Sequence, residues 1–178
     1  FGGGRAKRTP VVRLFSLLVP KPDVEITVEV EGVAEECSDP ISELVAAPVA
    51  HQVPATPQGE DMIEVPLEAL AWGRSGDKGD KANIGIIARK PEYLPYINAA
   101  LTDAAVRKRF AHFLADSSKG SVERFLLPGS HAINFLLHDV LGGGGVASIR
   151  NDSQGKGYAQ LLLACPIAVP ATIAESLS

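Results

Sequence analysis

Cysteine is nearly absent. Cys37 and Cys165 are the only two, which excludes a disulfide-stapled scaffold and a cysteine-built zinc site. Cys165, inside the apolar run 161–169, is expected as a buried thiol. The four histidines supply no ligand set either. His131 and His138 could share a helix face, while His51 and His112 fall in other segments. No stretch approaches the ~20 apolar residues of a bilayer span, and no basic-then-apolar leader opens the chain. The G-x-S-x-G of a nucleophile elbow is missing. The glycines at 142–145 follow a predicted helix and precede a predicted strand, the reverse of a phosphate cradle. Gly155-Lys156-Gly157 lacks the earlier glycine and the following Ser or Thr of a Walker motif. A net charge of −4 and scattered aromatics give neither an electrostatic footprint nor a stacking platform for nucleic acid. No cofactor, metal, nucleic acid or membrane is expected, and the expected location is cytoplasmic.

Charge of one sign is also missing by segment. The first thirteen residues carry Arg5, Lys7, Arg8 and Arg13 without an acid, whereas residues 22–73 hold twelve Asp or Glu and no Lys or Arg. That asymmetry points to docking inside a larger assembly, with ordinary exposed surface as the plainer alternative. At 178 residues and 46% hydrophobic content, the chain can bury one full core, or one small domain with a further piece attached. Phe1-Gly2-Gly3-Gly4 reads as an internal join, so a longer polypeptide is expected.

Apolar patterning then gives the elements. Residues 11–19 read as a strand stopped by Pro20, and Lys21-Pro22-Asp23 as a turn signal. Val24, Ile26, Val28 and Val30 alternate with Glu25, Thr27, Glu29 and Glu31, a strand with one dry and one acidic face that ends at Gly32. Together the two runs predict a β-hairpin, marginal alone and in need of a surface to lie on. Asp39 can cap a short helix over 40–47, and the proline-containing remainder over 50–61 reads as linker. The boundary falls near residue 62. Residues 1–62 comprise the glycine-rich lead-in, the hairpin and the acidic connector; residues 63–178 form the main domain.

In that domain, residues 63–72 are predicted to contain a strand leading into a polar stretch, and residues 83–88 to form the strand leaving it. Tyr93, Leu94, Tyr96 and Ile97 predict a short helix over 91–100. Thr102 can cap a second helix, on which Val106, Phe110, Phe113 and Leu114 make one apolar stripe. A strand at 122–127 and a turn at Pro128-Gly129 follow. Ser130 can cap a third helix carrying Ile133, Leu136, Leu137, Val140 and Leu141, with Gly142 as its stop. Strands at 146–149 and 158–165, joined by a polar turn at 150–157, complete the chain. The order β-loop-β-α-β-α-β-β predicts an α+β two-layer sandwich of ferredoxin-like character, a small, largely antiparallel sheet with helices on one face.

The polar stretch 74–83 is the densest collection of chemical groups. Asp77, Lys78 and Asp80 bring both charges together, and Ser75 and Asn83 add neutral hydrogen-bonding groups. Covered by a partner surface, they could bind an oxygen-rich ligand or poise an acid–base pair. Left exposed, they are a solvated turn with ion pairs of ~0–1 kcal/mol each. Two neighbouring lysines and no third carboxylate argue against a divalent cation. Arg150 follows an apolar run and could reach Asp77 or Asp80 as a bidentate fork, or anchor a ligand. Asn134 is polar between Ile133 and Phe135, and reads as a helix-surface or a site residue.

Several uncommon runs occur in order: Arg74-Ser75-Gly76-Asp77-Lys78-Gly79-Asp80 continuing through Ala82-Asn83-Ile84-Gly85, Leu127-Pro128-Gly129 with Asn134-Phe135, Leu141-Gly142-Gly143-Gly144, and Arg150-Asn151-Asp152-Ser153-Gln154-Gly155-Lys156. This series resembles the signature of the acyclic terpene utilisation (AtuA-like) family. The resemblance covers roughly residues 64–170 and implies that family's C-terminal ferredoxin-fold domain. Residues 9–31 then resemble the segment joining it to a larger α/β N-terminal domain, which precedes it in relatives. It further implies a part in catabolism of branched isoprenoid acids as coenzyme A thioesters, with the site completed by the N-terminal domain or a neighbouring chain. A non-catalytic assembly domain is the alternative. The implied partners are that N-terminal domain, further copies in a homo-oligomer, and an acyl-CoA ligand. The motif maps onto Asp77, Lys78 and Asp80 as candidate catalytic residues, and onto Ser75, Asn83, Asn134, Arg150, Gln154 and Lys156 as candidate ligand-binding residues.

Overall fold

The computed structural model describes residues 8, 10, 12, 15, 17–37, 55, 61–114, 121–127 and 129–177. The chain divides into two compact units, Phe15–Ala50 and the combination of Phe1–Leu14 with His51–Ser178.

The smaller unit contains a hairpin in which the predicted alternating strand pairs with the segment after it rather than with the apolar run before it. β1 (Thr27–Val30) pairs antiparallel with β2 (Val33–Glu36), Val30 opposite Val33. Glu31 and Gly32, at φ 52° and 81°, are the two corner residues, as a two-residue hairpin turn of this hand requires. Lys21–Asp23 is a single 3-10 turn instead, because the proline ring holds φ near −65°, the wrong sign for such a corner. The described members of the preceding apolar run, among them Phe15, Leu17 and Leu18, lie in no strand. Alternation sorts the first strand, with Val28 and Val30 on one face and Thr27 and Glu29 on the other, while in the second strand Glu35, opposite Val28, shares the valine face with Val33. The valine face is exposed rather than dry. The helix expected at 40–47 and most of the linker at 50–61 lie outside the described residues.

In the larger unit, β3 (Met62–Pro66) passes through one helical turn, α1 (Leu67–Leu70), into β4 (Ala71–Lys78). Residues 63–72, expected to contain a strand leading into the polar stretch, hold the end of one strand and the start of another, separated by a helical turn in which Leu67 and Leu70, three apart and wholly buried, face inward together. β5 (Lys81–Ala88) returns antiparallel to β4. A 3-10 turn at Pro91–Tyr93 leads into α2 (Leu94–Ala100), and α3 (Asp103–Arg109) follows. Thr102 caps α3 by accepting the Ala105 N–H, as expected. β6 (Val122–Leu127) and β7 (Ala132–Leu137) form an antiparallel pair. The chain closes with α4 (Tyr158–Leu163), β8 (Pro166–Pro170) and α5 (Ala171–Glu175), and β8 pairs with β3 in a separate two-stranded sheet.

Three segments differ in kind from their sequence reading. Residues 132–137 are strand, not helix: they hydrogen-bond to β5 on one side and β6 on the other. An apolar run of that length fits either period, so strand pairing decides. Val140 and Leu141, counted towards the helical stripe, belong to the loop beyond. Residues 158–163 are helix, not strand, consistent with the strong helix formers Ala159, Gln160 and three leucines. Residues 146–149 are neither, and Ile149 is fully exposed.

The main sheet runs β4-β5-β7-β6 with every neighbour antiparallel. Read as β5, α2–α3, β6, β7, α4 and then β4, it is the β-α-β-β-α-β of a ferredoxin-like sandwich whose last strand has moved to the front. The fold is α+β with helices on one face of the sheet, as predicted. On that face Ile84, Ile86, Ile133, Phe135 and Leu137 pack in one core with Ile97, Val106, Phe110 and Leu162. Among the described residues, no helix is long and apolar enough to cross a membrane.

Candidate functional site

The polar stretch is not an open loop. It is the end of β4, a two-residue turn at Gly79 and Asp80, and the start of β5, with Ser75 opposite Ile84, Asp77 opposite Ala82 and Lys78 opposite Lys81. Gly79, at φ 67°, occupies the first corner. Because side chains alternate, Ser75 and Asp77 share the helix-bearing face while Lys78 and Asn83 belong to the other.

Four polar side chains at this corner lock the backbone. Ser75 is 7% exposed; its hydroxyl accepts the Ala159 N–H at 2.9 Å and donates to the Lys156 carbonyl at 3.0 Å. The Asp152 carboxylate accepts the N–H groups of Lys156 and Gly157, both at 2.8 Å. Together they satisfy N–H groups at the start of α4 that no helical carbonyl can reach. The Asp80 carboxylate accepts the Gly143 N–H at 2.8 Å, and its carbonyl accepts those of Val140 and Leu141. Arg150 donates through Nη1 to the Val140 carbonyl and through Nη2 to that of Phe113 at 3.0 Å, with its guanidinium 5.7 Å from the Phe113 ring centre. Tyr158 adds a hydroxyl donated to the Val140 carbonyl.

The glycine-rich segment explains itself here. Gly144 has φ 82°, and a Cβ on it would lie 2.7 Å from the Gly79 carbonyl oxygen. Gly144 lets one backbone lie directly on another.

Asp77, Gln154 and Lys156 remain available. The Asp77 carboxylate is 3.7 Å from Lys156 Nζ, their side chains 30% and 61% exposed, a pair worth ~0–1 kcal/mol in such solvent. Gln154 converges on the same spot: a Cβ on Gly145 would lie 3.4 Å from Gln154 Cγ and 3.7 Å from Asp77 Oδ2. Lys78, on the exposed side, donates to the Asp77 carbonyl at 2.8 Å. Asn83 and Asn134 stand apart on the opposite sheet face, where Asn83 Nδ2 donates to Asn134 Oδ1. So Ser75, Asp77, Asp80, Arg150, Gln154 and Lys156 gather at one corner and the two asparagines do not. The cation beside Asp77 is Lys156, since Arg150 is directed at carbonyls. Among the described residues, no three His, Cys, Asp or Glu side chains cluster as metal ligands.

Burial pushes the Tyr158 phenol above its usual range, against the opposing pull of the Arg150 hydrogen bond and charge. Burial likewise raises the Cys165 thiol, although Cys165 is half-buried at the α4–β8 junction rather than fully enclosed. Sequence reasoning passed over Asp152 as a functional residue. Its signal was an Asp in the polar turn before a run of helix formers, legible as an acceptor for that turn's N–H groups only once residues 158–163 are read as helix.

Fold and corner together define a ferredoxin-like α+β domain with one polar cluster fixed at the β4–β5 turn. Residues 65–168 match the AtuA ferredoxin-like domain, and the chain belongs to that family. No curated protein and no solved structure matches it. Membership carries a general association with acyclic terpene and acyl-CoA-related function.

Proposed function

We propose that this domain supplies part of the active site of an enzyme that breaks down branched or isoprenoid acyl-CoA thioesters, the remainder coming from an N-terminal domain of the same polypeptide or a neighbouring chain. The observation that carries the reading is the convergence of Asp77, Gln154 and Lys156 on a backbone locked from beneath by Ser75, Asp80, Asp152 and Arg150. Asp77 serves as the acid–base group. Lys156 and Gln154 direct N–H donors at a thioester or carboxylate oxygen, and Lys78 adds positive charge nearby. In solvent the pair is weak. A second protein surface closing over it lowers the local dielectric and strengthens the charge interaction. Ser75, Asp80 and Arg150 frame the site through bonds to the chain's own backbone and do not react.

Those same internal bonds favour a second reading, a non-catalytic assembly domain. Calorimetric titration of the complete polypeptide with a branched isoprenoid acyl-CoA separates the two. Asp77→Asn and Lys156→Met should each weaken binding about ten-fold or more with little change in unfolding midpoint, because the exposed pair contributes little to the fold. Wild-type affinity in both variants rejects the site.

A further inference from the structure

On the sheet face opposite the helices, an exposed apolar group shares the surface with Arg74, Lys78, Lys81, Asn83, Asn134 and Glu123, and the Arg89 guanidinium lies 4.8 Å from the Trp72 ring centre. Trp72, Ile87, Phe125 and Leu127 lie on that face at 54%, 46%, 45% and 44% exposure, a contiguous group rather than the single exposed side chains of ordinary surfaces. Strand register sets this face in cross-strand rows. One row runs Trp72, Ile87, Ala132, Leu127; the next runs Arg74, Gly85, Asn134, Phe125; a third contains Asn83, Leu136 and Glu123.

We propose that this face is an isologous interface between two copies of the chain, the sheets stacked face to face about a two-fold axis parallel to the strands. That axis lays β4 over the partner's β6 and β5 over the partner's β7, and keeps each row opposite itself. Sizes then complement. Ile87 meets the partner's Ala132, Asn134 meets the partner's Gly85, and Trp72 meets the partner's Leu127. Charges complement too. Arg74, on the β4 edge, faces the partner's Phe125, with the partner's Glu123 one row away on the β6 edge, and symmetry makes this contact twice. The other in-plane axis, across the strands, would lay β4 over the partner's β4, and where it passes through the Arg74 row it sets Arg74 against the partner's Arg74, a like-charge contact that costs binding.

Gly85 supplies an independent observation. Its φ is not positive, and a Cβ on it would meet only the Arg74 carbonyl at 3.9 Å and Asn134 Oδ1 at 4.0 Å. Neither backbone geometry nor packing within the chain calls for glycine there, and glycine inside a strand weakens it. As the hollow that receives the partner's Asn134, it has a role. This interface gives the assembly reading a surface and a partner, and it stands whether or not the corner binds a thioester.

Sedimentation of the full chain over micromolar concentrations is the test, with dimer as the expected state. Arg74→Glu and Glu123→Arg should each weaken dimerisation about ten-fold or more, since each sets like charges together at both symmetric contacts. An equimolar mixture of the two variants should restore it, because the mixed pair has opposite charges at both. The mixture also controls for the Glu123–His138 contact that Glu123→Arg removes within one chain. Gly85→Val should fill the hollow and give a monomer at least as heat-stable as wild type, whereas Asp77→Asn, which alters only the corner, should leave the dimer intact. A wild-type chain monomeric throughout overturns the proposal. So does a dimer that survives Gly85→Val, or a mixture that fails to recover association.

Discussion

Replacing Gly144 by alanine asks how tightly the glycine-rich segment is pressed on the β4–β5 turn. Two terms add. At φ 82° a non-glycine residue costs ~1–2 kcal/mol. The new methyl would lie 2.7 Å from the Gly79 carbonyl oxygen and 2.9 Å from its carbon, and backbone cannot rotate aside as a side chain can, so overpacking adds ~1–3 kcal/mol. The sum is ~2–5 kcal/mol. Gly79→Ala is the matched control: φ is 67° and a Cβ there would meet nothing within 4 Å, so only the conformational cost of ~1–2 kcal/mol applies. Urea unfolding measures both. With a slope of ~2 kcal/mol per molar, the midpoint should fall by ~1–2.5 M for Gly144→Ala against ~0.5–1 M for Gly79→Ala. Equal losses in the two variants would refute the close approach.

Ser75→Ala removes an acceptor from the Ala159 N–H and a donor from the Lys156 carbonyl, and should destabilise by ~1–3 kcal/mol in equilibrium unfolding. Arg150→Lys keeps the charge but loses the fork spanning the Phe113 and Val140 carbonyls. It should cost ~1–3 kcal/mol and speed amide exchange at Val140 and Leu141. Tyr158→Phe should cost ~0.5–1.5 kcal/mol at neutral pH, where Arg150 still bonds the shared Val140 carbonyl. Because burial raises the Tyr158 pKa, its neutral form contributes stability that is complete below the ordinary tyrosine pKa of ~10 and is lost as pH rises through the higher folded value. The phenylalanine variant should therefore lose less stability above pH ~10 than wild type, and identical pH profiles would contradict the assignment.

How much of this was legible beforehand depends on which forces choose each element. α2 and the start of α3 were readable because proline and the Thr102 cap act locally, whereas the helix expected to run on through Phe110, Phe113 and Leu114 ends at Arg109. β6 and the α+β class were readable too. β7 was not, because Ile133 to Leu137 fits a buried strand or a helix equally, and pairing with β5 and β6 resolves it only in three dimensions. The α4 error followed from it: with 158–163 taken as a strand, Asp152 and Ser75 lost their meaning as groups that satisfy a helix start. The corner was half legible. Sequence order identified its polar runs, but only the fold parts Asn83 and Asn134 from it, since one residue along a strand switches faces. The hairpin was expected in the right region with the wrong partner strand, because Glu31-Gly32 is a weaker turn signal than Lys21-Pro22-Asp23 until the sign of φ is considered.

The most direct measurement is a structure of the complete polypeptide with a bound branched isoprenoid acyl-CoA. The account predicts the thioester carbonyl within hydrogen-bond reach of Lys156 or Gln154, with the Asp77 carboxylate beside the reacting carbon and a second protein surface closing the corner. An acyl-CoA seated elsewhere, with Asp77, Gln154 and Lys156 meeting only solvent or protein, would contradict it.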